Sequence, residues 1–184
     1  MGTQLVSVAE RERRMIDAAS YRCRERLRDG TPVEIRALRP DDEVGMLAAL
    51  EQSSAQSRRR RFFIPKQHFS DKERDFFLAV DFKHHVALVA CLDDAGIVGG
   101  GRYIVAKPGS AELAFMVIDA WQGHGIGGLL MRHLIVLARE AGQRELVAEV
   151  LPENIAMRRV FDKFGFKPGE IREPQSITLV LALT

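Results

Sequence analysis

The sequence predicts an α+β fold on a mixed sheet, and three observations predict it. Two tight turns, Asp93-Asp94-Ala95-Gly96 and Lys107-Pro108-Gly109-Ser110, join three apolar runs into an antiparallel meander. Helical spacings precede the meander. After it, helical and extended patterns alternate, giving the order β-α-α-β-β-β-α-β-α-β-β.

Residues from about Ser7 to Arg28 are rich in Arg and Glu, with Val8, Met15, Ile16, Ala19 and Leu27 at loose helical intervals. Asp29-Gly30-Thr31-Pro32 breaks the chain. Residues 1–31 are therefore expected to form an N-terminal helical extension, and residues 32–184 the main domain. Val33 to Leu38 alternates apolar and charged residues as a half-buried strand does. Arg39-Pro40-Asp41-Asp42 reads as turn and N-cap for a helix over about Glu43 to Gln52. Ser53 to Phe63, with its block Arg58-Arg59-Arg60-Arg61, reads as a polar connection. Ser70-Asp71-Lys72-Glu73 is a capping-box pattern opening a short helix through Phe76, Phe77 and Val80. The meander follows as His85–Leu92, Ile97–Val105 and Ala111–Ile118. A helix over about Gly125 to Ala141, a strand Glu145–Val150, a helix Asn154–Phe164 and strands near Phe166–Ile171 and Ile177–Leu183 complete the chain.

At 184 residues the chain suits one domain with a small appendage. A net charge of +2 is too small to imply nucleic acid as a partner, although the arginine block concentrates positive charge locally. Cys23 and Cys91 lie far apart without CxxC or His-rich context, so neither a disulfide framework nor a metal site is expected. No apolar run reaches membrane-spanning length. A soluble cytoplasmic protein with no membrane partner is the expectation.

The stretch Gln122-Gly123-His124-Gly125-Ile126-Gly127 carries the most chemistry. It joins an apolar strand to an amphipathic helix. Its glycines let several backbone N–H groups converge at the positive end of that helix, which makes a seat for a diphosphate. Gly123 to Gly128 also satisfies the dinucleotide pattern G-x-G-x-x-G, with Glu149 about twenty residues on. The hairpin-linked strands upstream and the short chain downstream oppose that reading, because a dinucleotide half needs successive β-α-β crossovers.

Three features together resemble the GNAT superfamily of acetyl-CoA-dependent N-acetyltransferases. They are Gln122-x-x-Gly125-x-Gly127, the strand AELAFMVI ending just before it, and Asn154 opening a helix that closes with Phe164-Gly165-Phe166. The resemblance covers about Val33 to Leu183 and implies a three-layer α/β/α sandwich around a mixed, mostly antiparallel sheet. Ser57 to Phe63 followed by HHVALVA further resembles bacterial protein lysine acetyltransferases of the Pat type, which modify acyl-CoA synthetases and similar proteins.

This resemblance implies acetyl-CoA as donor cosubstrate, a lysine on a protein as acceptor, and no metal. It implies that Gly123, His124, Gly125, Ile126, Gly127 and Gly128 hold the pyrophosphate through their backbone, with Gln122 supporting the loop. Met116, Val117 and Ile118 would flank the pantetheine arm, with the N–H of Met116 aimed at the thioester carbonyl. Asn154 would cap its helix and reach the same arm. Glu112, ten residues before Gln122, would be the general base, and part-burial would raise its pKa toward usefulness. Its alternative is a strand-start carboxylate that faces solvent or pairs with an Arg. Phe161 stands where many family members place a Tyr general acid, and Tyr103 on a neighbouring strand is the substitute. The arginine block is either an acidic-surface recruiter or a solvated run. A small-amine acetyltransferase and a non-catalytic acyl-CoA sensor are the competing functions.

Overall fold

The computed structural model describes residues 16–183. Its strands are β1 (Arg22–Arg26), β2 (Pro32–Ala37), β3 (His85–Leu92), β4 (Gly96–Lys107), β5 (Ser110–Val117), β6 (Glu145–Val150), β7 (Lys167–Pro168) and β8 (Ile177–Ala182). Among the described residues, the α-helices are α1 (Glu43–Glu51), α2 (Ala55–Phe62), α3 (Asp71–Leu78), α4 (Ile126–Glu140) and α5 (Ile155–Lys163). All the strands join one sheet in the order β1-β2-β3-β4-β5-β6-β8-β7. Every neighbouring pair is antiparallel except β5 and β6.

Strand alternation divides the helices into two layers. A Cβ on Gly101 would meet Phe115 and Leu134 of α4, whereas one on Gly45 of α1 would meet Ile97 of β4. The helices α1 to α3 cover one face and α4 with α5 the other, which is the expected three-layer sandwich. On α4, Leu130, Leu134 and Ala138 recur every fourth residue and are fully buried. Each Leu there contributes roughly 1.5–3 kcal/mol of apolar burial.

Helix starts follow the local chemistry. Ser70 Oγ accepts from Glu73 N (3.3 Å) while Glu73 Oε2 accepts from Ser70 N (2.9 Å), closing the capping box. Asp42 stands at the N-cap of α1, but its carboxylate turns back to Arg36, with two N–O contacts of 2.7 Å, and accepts from Arg39 N at 2.7 Å. That buried pair ties β2 to the entry of α1.

The N-terminal expectation needs correction. Of the helix expected over about Ser7 to Arg28, residues 1–15 lie outside the described residues, and the rest holds only a 3-10 turn at Ala18–Ser20. Residues Arg22–Arg26 form strand β1, paired antiparallel with β2 through a turn whose Gly30 has φ +88°. Tyr21, Cys23, Glu25 and Leu27 face inward while the intervening arginines face solvent, a period of two that the polar inner residues disguise. The polar connection before Phe63 is likewise helical as α2, with Ser54 Oγ accepting from Ser57 N at its N-cap (3.1 Å). The strand expected over Phe166–Ile171 shrinks to Lys167–Pro168.

The topology leaves one opening. The strands β5 and β6 pair from Ser110↔Glu145 to Leu113↔Ala148 and then part. Beyond that point β5 continues beside β4 to Val117, while Glu149 and Val150 pair only with β8. A wedge therefore opens in mid-sheet, with the unpaired edge of β5 along one side.

Candidate active site

The wedge is the mouth of a cleft of about 990 Å³, lined by Glu112 to Val117, Gln122 to Gly128, Glu149, Asn154 and Phe161 among others. The glycine loop lies at its end, at the N-terminus of α4. Gly123 (φ +81°) and Gly125 (φ +98°) hold backbone conformations that a side chain would strain. Gly127 has ordinary backbone angles, and a Cβ there would meet no protein atom within 4 Å. Its Cβ side is open space. Gln122 braces the loop: its Nε2 donates to Ser57 Oγ (2.9 Å) and to Val117 O (3.0 Å). His124 Nδ1 lies 3.0 Å from Gln122 O, and its ring packs beside Trp121.

The backbone alternation of β5 selects which groups face the opening. Gly109 O accepts from Arg144 N and Glu145 N, and Val117 O accepts from the Gln122 side chain, so odd-numbered residues turn toward β6 and the wedge. Ile118 N donates to Val98 O, and Met116 O lies 3.1 Å from a Cβ built on Gly99, so even-numbered residues face β4. The N–H groups on the open edge are thus those of Phe115 and Val117. This corrects the expectation for the Met116 N–H; the Met116 side chain still lines the cleft. Ile126 contributes a buried side chain at the start of α4, and Gly128 approaches Phe164. The Ile118 side chain is buried behind β5 and does not reach the cleft wall.

Glu112 sits on the second-last rung before the strands part, opposite Val147. Its side chain is 58 % exposed, not part-buried, and its Oε1 accepts from Arg172 Nη1 at 2.9 Å. Two residues along β6 from Val147, Glu149 enters the same cleft, where its carboxylate accepts from the hydroxyls of Ser176 and Thr178. Sequence reasoning weighed Glu149 only as a ribose ligand. Its place beside Glu112 depends on the β5–β6 register, which no local motif encodes.

Asn154 caps α5, its Oδ1 accepting from Met157 N at 3.3 Å, and also lines the cleft. Phe161 is buried against Phe115 and Phe166, with ring centroids 6.4 and 4.9 Å away. Tyr103 is 1 % exposed, is not part of the cleft wall, and burial pushes its hydroxyl up to about 12. It cannot serve as the substitute acid. Arginines that no motif signalled also border the seat: Arg28 from the β1–β2 hairpin has its Nε 3.7 Å from a Cβ built on Gly125. Arg132 and Arg159 line the same cleft. Among the described residues, no helix is long and apolar enough to cross a membrane.

A family model described as the acetyltransferase (GNAT) family matches residues 50–166. The acetyltransferase PA5475 of Pseudomonas aeruginosa is 33% identical over 161 residues, which span 85% of this chain and 86% of that protein. The acetyltransferase Pat of Mycolicibacterium smegmatis is 31% identical over 145 residues, 76% of this chain and 42% of that longer protein. Among solved structures, the GNAT domain of S. lividans PAT superposes with a TM-score of 0.83 at 32% identity, covering 88% of this chain and 96% of that one.

Proposed function

The chain belongs to the acetyltransferase (GNAT) family and is an N-acetyltransferase of Pat type, and on that premise we propose that it transfers acetyl from acetyl-CoA to a lysine of a protein. The observation that carries this reading is the wedge between β5 and β6 ending on the glycine loop. A diphosphate on the N–H groups of residues 123–128 directs an extended arm along the free edge of β5. The thioester carbonyl then meets the N–H of Phe115, which stabilises its oxyanion as charge develops, while the N–H of Val117, two residues nearer the loop, pairs with the arm.

Glu112 is the proposed base. A lysine ammonium near neutral pH must lose a proton before it can attack. Arg172 occupies Glu112 Oε1 and leaves Oε2 to take that proton, directly or through a water. The neutral amine adds to the thioester carbon, the C–S bond breaks, and the nitrogen releases its second proton to water; once the departed thiolate has taken up a proton, the net products from the ammonium are an amide, CoA thiol and one proton. Phe161 supplies no proton, so CoA leaves as a thiolate, which is a competent leaving group. Asn154 and the basic side chains of Arg28 and Arg159 assist donor binding. An acyl-CoA synthetase is the kind of acceptor that the Pat likeness suggests, and the free thiols Cys23 and Cys91 suit a cytoplasmic setting.

The test is incubation with acetyl-CoA and a host lysate, followed by mass spectrometry of acetylated lysines. Defined protein lysines should be modified. Glu112→Gln should bind acetyl-CoA but lose turnover by roughly 10²–10⁴-fold. Modification only of small amines overturns the protein acceptor. Full turnover by Glu112→Gln removes Glu112 as base, and Glu149→Gln then tests the neighbouring carboxylate.

A further inference from the structure

Four successive arginines on a helix point about 100° apart, so they do not share one surrounding. Arg58 turns inward, its Nη1 donating to Leu50 O and Ser53 O at the end of α1. Arg59 pairs with Glu153 across 3.5 Å of open surface. Arg60 and Arg61 remain, and both line the cleft.

Arg61 lies over the rings of Phe62 and Phe77, 4.9 and 5.9 Å from their centroids. Beside it, Arg102 of β4 stands 4.6 Å over the same Phe77 ring. Arg102 Nη1 donates to Phe77 O (3.2 Å) and faces His85 Nε2 (2.9 Å). These are neutral partners. Among the described residues, no carboxylate lies within ion-pair distance of Arg60, Arg61 or Arg102. Among the described residues, Arg60 Nε is buried and has no hydrogen-bond partner. Burial pulls Arg61 down to about 10; burial, then the charge of Arg61, pulls Arg102 down to about 9. Both stay protonated at neutral pH. Like charges set together in an aromatic pocket without a counter-ion destabilise the empty protein, and an arriving anion relieves that.

The place of the pair says which anion. Arg102 is the β4 partner of Ala114, beside the Phe115 N–H on the open edge of β5. This is the acyl end of the cleft, several residues along β5 from the glycine loop. Behind Ala114 and Met116 lies a small cavity of about 70 Å³ that shares Arg61, Phe77 and Arg102 with the cleft wall. That is room for about two waters, or a short chain extension ending in a carboxylate. Guanidinium forks match carboxylate geometry, and aromatic stacking holds them ready.

We propose that Arg61 and Arg102 bind a substrate carboxylate beside the reacting thioester. The proposal rests on the acyl-transfer reading above. The cavity favours the donor as the source of the carboxylate, as in a dicarboxylic half-thioester such as succinyl-CoA. The other source is an acid adjoining the acceptor amine. In either case the bond changes are those of acyl transfer: the amine–carbon bond forms and the C–S bond breaks.

Two arms distinguish the sources. In the first, isothermal titration compares succinyl-CoA with acetyl-CoA on the parent protein, Arg61→Met, Arg102→Met and Arg102→Lys. A donor carboxylate predicts roughly tenfold tighter binding of succinyl-CoA by the parent, with a ratio near one in both Met variants. Arg102→Lys keeps the charge and should keep much of the preference. In the second arm, acetyl transfer is measured to lysyl peptides that differ only by Glu or Gln beside the lysine. An acceptor carboxylate predicts a roughly tenfold higher kcat/KM for the Glu peptide, lost in the same Met variants. Thermal melts confirm that each variant is folded. The carboxylate site is overturned if the parent shows neither preference, or if a preference survives both Met substitutions. Failure of the parent to bind either CoA ester would instead sink the acyl-transfer reading itself.

Discussion

His85 opens β3 at 7 % exposure, stacked on Phe76 and facing Arg102. Burial first, and the charge of Arg102 second, push its imidazole down to about 4 against the pull of Asp81, whose carboxylate accepts from the His85 backbone N–H. The unfolded chain, with its histidine near 6.5, therefore binds more protons between those two values. The stability that neutral His85 contributes is fully present above pH 6.5 and is lost as pH falls toward 4, on the order of 3 kcal/mol in all. Burial pushes His133 in the same direction. Carboxylates held below their usual range, such as Asp42, Glu73 and Asp81, lose their contribution only as pH falls below about 5, so the upper part of this window belongs to the histidines. Melting temperature measured from pH 7.5 to 4 should fall steeply in the parent and less steeply in His85→Gln. Equal slopes would contradict the buried neutral histidine. None of this is visible in the sequence, where His84-His85 is a repeated residue before an apolar run. Gln122, Gly123 and Gly125 are legible by contrast, because their roles are fixed within six residues of chain.

At the scale of elements, β1 shows how a strand hides. Its inner face carries Cys23 and Glu25, so no apolar alternation marks it. Its anchor is a polar network: Tyr21 Oη sits 2.5 Å from His133 Nδ1, and Glu25 Oε1 forms an ion pair with Arg132 Nη2 across 2.7 Å and lies 3.1 Å from His133 Nε2. The helix α2 hides for a related reason, since a run of arginines has no apolar period. The meander strands and α4 are legible because their apolar residues are continuous or recur every fourth position. The β1–β2 hairpin carries Arg28 to the glycine loop, a role that a free helical extension would not have. Arg28→Ala should weaken acetyl-CoA binding by about three- to tenfold at low salt, with a smaller difference at high salt. Titration at two ionic strengths checks this. An unchanged affinity would show that the hairpin adds structure but no charge to the seat.

At the scale of the whole molecule, the wedge arises from the single parallel pairing in an otherwise antiparallel sheet. The helix α4 carries the chain from β5 to β6, so its N-terminus, with the glycine loop, lies where β5 ends. That places the seat and the free edge in line. The cleft wall away from the glycine loop is assembled from β4, β5, β6 and α2, far apart in sequence. For this reason Arg102 and Glu149 emerge only once the register is known. Gly127 offers the most direct probe of the arrangement. It lies in the first turn of α4, where a carboxylate is favourable to the helix and any side chain is better than glycine. A Cβ there touches no protein atom. Gly127→Glu should thus melt at the parent temperature or above it, while its side chain fills the seat and its charge repels a diphosphate. Isothermal titration with acetyl-CoA should show binding weakened by roughly a hundredfold or more, alongside that intact melt. Parent-like affinity in the folded variant would mean that the donor does not lie on this loop, and the wedge would not be its site.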